Sequence, residues 1–185
     1  NIDDFTKEEI IELEKLNIVG GEPEKHEYIE VKKFPATTLI LNIASGCNLS
    51  CTYCYKADLE TLSNSGNMTF ETANQAIERL YEGAPNQPIY NVTFFGGEPL
   101  SNFTLIQEVT KYAVKFFQER NALVDFTITT NGTLLTKEII NYLQAYKFGV
   151  TISIDGPKEI HNKTRLTNAG TGSYETVRKK VELLL

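Results

Sequence analysis

Three cysteines fall within eight residues of a 185-residue chain that has no others, and this crowding constrains the fold more than any other feature. Cys47, Cys51 and Cys54 stand at C-x3-C-x2-C spacing directly after Leu39-Ile40-Leu41-Asn42-Ile43-Ala44, an alternating apolar run that reads as a buried strand entering a loop. Thiolate sulfur is a soft ligand, suited to iron–sulfur clusters, zinc or Cu(I). Three such ligands can hold three irons of a 4Fe-4S cube that ordinarily takes four cysteines, which leaves one iron open to another ligand. Two other readings stand beside this one. Structural zinc closes four ligands, and His26 and His161 are both remote in sequence from the trio. A Cys51/Cys54 redox pair leaves Cys47 without a role and ordinarily opens a helix.

Composition narrows the field. With 41% apolar residues the chain can bury one core, but 185 residues fall short of a closed α/β barrel, for which about 250 is typical. A net charge of -6 argues against a nucleic-acid surface, which needs clustered Lys and Arg. No apolar run reaches the roughly 18 residues of a membrane span, and no basic-then-apolar leader precedes the fold. Clustered free thiols fit a reducing cytoplasm. The chain starts at Asn1, has Met68 as its one methionine and stops at Leu183-Leu184-Leu185 inside an amphipathic pattern, so it reads as a piece of a longer protein.

Residues 1–37 read as a separate N-terminal segment, its helix expected to pack on the outside of the core. A helix is expected over 5–19, with Thr6 and Glu9 as a capping box, Phe5 and Ile10 as a staple and Gly20-Gly21 as the stop. A charged stretch follows, with a short strand expected at Tyr28 to Val31. From residue 38 to 185 the pattern alternates strand and helix. Strands are expected at Thr38–Ala44, Ile89–Phe95, Val124–Thr130 and Val150–Ile154. Helices are expected to open at Thr69, Ser101, Thr136 and Ser173, the last after a longer loop. Four βα units imply parallel strands in an α/β fold.

Ligands of such folds sit at the carboxyl ends of the strands. Each end here joins glycine to polar groups: Ser45-Gly46, Gly96-Gly97-Glu98-Pro99, Thr129-Thr130-Asn131-Gly132 and Ser153-Ile154-Asp155-Gly156. Gly96-Gly97 allows backbone to approach a ligand closely, although a plain turn is the alternative.

The cysteine spacing, with Tyr53 just before the last cysteine, resembles the signature of the radical S-adenosylmethionine (SAM) superfamily. The resemblance implies a partial (βα)6 barrel, of which this chain carries about four units. It also implies SAM chelated to the open iron, with reductive cleavage to a 5'-deoxyadenosyl radical that abstracts a substrate hydrogen. Gly96, Gly97, Glu98 and Pro99 look like the family's GGEP motif, whose backbone binds the methionyl ammonium, with Glu98 adding negative potential near that cation. By the same resemblance Asn131 hydrogen-bonds near the SAM ribose, Ser153 bonds SAM, Arg165 pairs with its carboxylate, Asp155 positions substrate or caps its turn, and Tyr53 stacks near the adenine. His161 is read as orienting Arg165 or its own backbone, with proton transfer as the alternative. Residues 153–165 are similar to the fourth-strand region of the SPASM subgroup, which modifies peptides and proteins and carries further clusters in a C-terminal domain. Asn162 stands where that subgroup often has Asp. The implied partners are a peptide or protein substrate, as in ribosomal peptide maturation, and a reductant such as flavodoxin or ferredoxin. A sulfatase-maturing or small-molecule enzyme, or a non-catalytic peptide-binding core whose segment 1–37 takes a leader peptide, remain as alternatives.

Overall fold

The computed structural model describes residues 5–16, 18–20, 34–55 and 66–184. Two compact units divide the chain, Asn1–Phe34 and Pro35–Leu185. In the first, helix α1 spans Lys7–Lys15 and carries the expected capping box: Thr6 Oγ1 accepts from Glu9 N–H at 3.4 Å, and Glu9 Oε2 accepts from Thr6 N–H at 2.8 Å. The helix ends at Leu16, earlier than the expected stop at Gly20, because Ile18 N–H turns back to the Leu13 carbonyl and wraps the last turn. The strand expected at Tyr28 to Val31 and most of the polar connection at 56–67 lie outside the described residues.

The second unit is an open sheet of four parallel strands in the order β1 (Thr38–Ala44), β2 (Ile89–Gly96), β3 (Leu123–Thr130) and β4 (Gly149–Ile152). Helices α2 (Phe70–Gly83), α3 (Phe103–Gln118) and α4 (Lys137–Ala145) connect them, and the whole has the architecture of a partial α/β barrel. Thr69 caps α2 and Thr136 caps α4 through their hydroxyls, as the sequence predicts.

Period-2 alternation sorts the side chains between the two faces of the sheet. Leu41, Ile43, Tyr90, Val92, Phe94, Phe126 and Ile128 point to one face, where Ile77 of α2 and Ile106, Val109 and Phe117 of α3 bury them. Phe94 stacks with Phe126 and Phe148, ring centroids 6.2 and 5.8 Å apart. Residues of the other face, among them Asn91, Thr93, Asp125, Thr127, Thr129 and Thr151, are half-buried or exposed. Parallel sheets ordinarily carry apolar side chains on both faces. Here the second face mixes these polar residues with Ile40, Ile89, Phe95 and Leu123, and it runs toward the cysteine loop.

Several boundaries differ from the sequence reading. A 3-10 turn at Pro99–Asn102 precedes α3, because the Glu98 carboxylate accepts from Leu100 N–H and holds the chain in a tighter turn where a helix from Ser101 was expected. β4 ends at Ile152, its pairing to Thr130 being the last that β3 offers. The segment expected as a loop holds a short helix, α5 (Lys158–Thr164), before α6 (Tyr174–Val181). Ser173 does not cap α6: its hydroxyl is taken by His161 and the Arg165 carbonyl, and Asn162 Oδ1 accepts from Tyr174 N–H at 3.0 Å instead.

Phe94→Ala should therefore cost about 3–5 kcal/mol in urea unfolding of the apo-protein, whereas Ile40→Ala, a residue 62% exposed on the second face, should stay within about 0.5 kcal/mol of the parent.

Candidate active site

The cysteine loop is fixed by backbone contacts on two sides. On the side of β2, Gly97 N–H donates to the Ala44 carbonyl at 2.7 Å and Glu98 N–H to the Gly46 carbonyl at 2.9 Å. On the far side, Ser50 N–H donates to the Leu166 carbonyl at 2.7 Å and Thr52 N–H to the Thr164 carbonyl at 2.9 Å. Asn168 adds side-chain bonds to Ser50 Oγ and the Cys47 carbonyl. Gly97 has no room for a side chain, since an added Cβ would overlap the Gly46 carbonyl. The close approach expected of the Gly-Gly pair thus serves the cysteine loop itself, and the amides of residues 97 and 98 are committed to it.

Cys47, Cys51 and Cys54 line one cavity of about 440 Å³ at the carboxyl ends of the strands. Tyr53, Gly96, Gly97, Asn131, Ser153 and Arg165 share that lining, so the structure brings together nine of the sequence-predicted site residues. Glu98, Pro99 and Asp155 are not among the lining residues. Phe95, Thr129 and Asn168 line it too; the first two follow from strand alternation, whereas the return of Asn168 has no signal in the sequence.

Glu98 is fully buried and its carboxylate braces the strand ends, while its charge also reaches the cavity-lining Cys47, whose thiol it helps push up. Oε1 accepts from Leu100 N–H at 3.0 Å and from Thr130 Oγ1 at 2.7 Å, and Oε2 accepts from Asn131 N–H at 2.8 Å. Burial pushes the Glu98 carboxyl above its ordinary value, against the pull of these donors. Pro99, also buried, opens the 3-10 turn that follows. Asn131 is turned inward: Nδ2 donates to Asn48 Oδ1 at 2.9 Å and to Cys47 Sγ at 3.7 Å, while Oδ1 accepts from Thr133 N–H and Oγ1.

At the cavity mouth Asp155 collects three donors. Arg165 Nε reaches Oδ1 at 2.8 Å, and Tyr53 Oη and Thr164 Oγ1 reach Oδ2 at 2.7 and 2.8 Å. Burial opposes its ionisation, but the donors prevail and hold the carboxyl at about 2, below the ordinary 3.8. The Arg165 guanidinium carbon lies 5.4 Å from the Tyr53 ring centroid, within cation–π reach. His161 is fully buried under this cluster and sits on α5 rather than in a loop. Its Nδ1 accepts from Asp155 N–H at 3.4 Å and its Nε2 meets Ser173 Oγ at 2.9 Å. Since the Ser173 hydroxyl donates to the Arg165 carbonyl, Nε2 carries the proton of a neutral imidazole. Burial, and then the Arg165 charge, lower its pKa in the same sense.

Burial pushes the Cys47 and Cys51 thiols upward. Among the described residues no three His, Cys, Asp or Glu side chains converge closely enough for a single metal ion. The trio faces a common space with its sulfurs apart, a donor set that suits a cluster whose metal atoms each take one sulfur.

The family model of the radical SAM superfamily matches residues 41–185. The chain is 32% identical over 155 residues to the radical SAM cyclopropyl synthase TigE of Paramaledivibacter caminithermalis, covering 78% of this chain and 32% of that one. It is 32% identical over 153 residues to the cysteine-type anaerobic sulfatase-maturating enzyme of Clostridium perfringens, covering 80% and 40%. Native anSMEcpe, solved with bound AdoMet and Cp18Cys peptide, superposes with a TM-score of 0.67 at 30% identity, over 80% of this chain and 39% of that one. The chain spans about a third to two fifths of the length of these relatives.

Gly97→Ala should displace the Gly46 carbonyl and disturb the cysteine loop, lowering iron uptake on reconstitution at least twofold; full uptake would show that the loop tolerates the displacement. In Asp155→Asn the stability gap to the parent should be complete above the ordinary pKa of 3.8 and close as pH falls toward about 2, because a depressed carboxyl stabilises only while ionised. Thermal melts of the apo-protein across that range check it.

Proposed function

The chain belongs to the radical SAM superfamily, and from that membership we propose that it binds a 4Fe-4S cluster through Cys47, Cys51 and Cys54 and uses SAM to abstract hydrogen from a peptide or protein side chain. The observation that carries this reading is three thiols, with no fourth cysteine in the chain, facing a single cavity beside Gly96 and Gly97. When bound, the cluster and SAM supply reductive cleavage of the sulfonium to methionine and a 5'-deoxyadenosyl radical, which takes a hydrogen atom from the substrate. The protein's part is placement and the exclusion of water.

Each of those tasks falls to named residues. The hydrogen-bonded backbone of residues 45–52 fixes Cys47 and Cys51, and Cys54 N–H closes its turn onto the Cys51 carbonyl. Gly96 and Gly97 bring backbone to the wall where the methionyl end of SAM would lie, their missing side chains making room for Ala44 and Gly46 behind it. Ser153 offers a hydroxyl at the end of the fourth strand. Arg165 spends its Nε edge on Asp155, which leaves the Nη pair to meet the SAM carboxylate. Tyr53 is held by Asp155 with 53% of its surface exposed, a platform on which an adenine can stack.

The peptide class is favoured because named relatives are maturases of sulfatases, and one solved neighbour holds a peptide. Sulfatase maturation is the second reading, favoured by the same relatives. Residues 1–37 are assigned to a segment ahead of the core, and the electron to a flavodoxin or ferredoxin in a reducing cytoplasm. Among the described residues no helix is long and apolar enough to cross a membrane.

Anaerobic reconstitution with iron and sulfide, followed by dithionite and SAM, should yield methionine and 5'-deoxyadenosine in equal amounts; a cluster-loaded protein that releases neither overturns the proposal. Cys51→Ala should lose the visible iron–sulfur absorbance, and retention of full iron would contradict the ligand assignment.

A further inference from the structure

The Asn131 side chain, expected from the sequence to face a nucleotide, has every polar valence spent within the protein. Its two Nδ2 protons go to Asn48 Oδ1 and Cys47 Sγ, and its Oδ1 accepts from Thr133 N–H at 2.9 Å and Thr133 Oγ1 at 2.7 Å. Asn48 Nδ2 donates in turn to Thr133 Oγ1 at 2.8 Å, which closes a ring of three side chains. The backbone of Asn131 is fixed by the buried Glu98 carboxylate. With 7% of its surface exposed, the amide cannot turn over without breaking this ring. Its direction toward Cys47 is therefore set by the fold.

Among the described residues Cys47 is the cysteine whose sulfur receives N–H donors, from Leu49 at 3.4 Å through the backbone and from Asn131 at 3.7 Å through a side chain. Hydrogen bonds to ligand sulfur are a main determinant of iron–sulfur potentials. A donor aimed at the sulfur stabilises extra negative charge there and so favours the reduced cluster. Resting on the cluster assignment above, we propose that Asn131 is a positioning residue that sets the electron affinity of the cluster through its bond to Cys47 Sγ.

The test compares the reconstituted parent protein with Asn131→Asp and Asn131→Ser, each of which removes Nδ2, by redox titration followed through the spin signal of the reduced cluster and by iron content. With iron content unchanged, the reduced-to-oxidised ratio at a fixed poise should fall about tenfold, equivalent to about 59 mV for one electron, and further in Asp than in Ser because a negative charge replaces the donor. Thr133→Val, which loosens the ring but leaves the donor, should shift the ratio less than about threefold. Titration of both Asn131 variants within twofold of the parent overturns the proposal. Loss of iron from both, with melting of the apo-protein unchanged, also overturns it, since Asn131 would then serve only to retain the loop. A parent protein that takes up no cluster defeats the cluster assignment itself, a result distinct from either.

Discussion

A buried carboxylate joins the ends of two strands, and the geometry around the cysteines depends on it. Glu98 lies two residues past the end of β2, yet its acceptors reach the hydroxyl and the amide at the end of β3. A carboxylate with no access to solvent is costly unless it is hydrogen-bonded, and here three donors from three residues offset part of that cost. From that junction the chain of contacts is short. Glu98 fixes Asn131, Asn131 reaches Cys47, and the amide of Glu98 also holds Gly46. The acidic residue of the Gly-Gly-Glu-Pro stretch thus acts by tying strand ends together.

The mouth of the cavity is organised by a second, more exposed carboxylate with a different task. Asp155 gathers a tyrosine from the cysteine loop, an arginine and a threonine from the end of α5, and a neutral histidine holds its backbone from beneath. The two acidic residues divide the work. One fixes backbone where water is excluded; the other aligns a cation and an aromatic ring at the edge, where solvent screens part of the attraction.

Much of this was legible in the sequence, and the residues that were not share a cause. The places of the strands along the chain and the capping threonines follow from local periodicity and cap chemistry, so Thr69 and Thr136 stand where they were expected. The cysteine trio declared itself by spacing. The tertiary choices of polar side chains were hidden: Asn131 turned to sulfur, Ser173 to a histidine, and Asn162 to a helix start that it precedes by twelve residues. Amides and hydroxyls have several partners of similar strength, and only the packed fold decides among them. Helix α5 escaped notice because seven residues carry too little periodicity to separate from a turn.

The attachment of the cysteine loop to residues 164–168 has a bearing on biosynthesis. Cys47 meets Asn168 across 121 positions of sequence, so the loop cannot take its final shape until the ribosome has delivered almost the whole described chain. Contacts of such long separation form late and slowly. Until they do, Cys47, Cys51 and Cys54 lack the cover that residues 164–168 give to their loop.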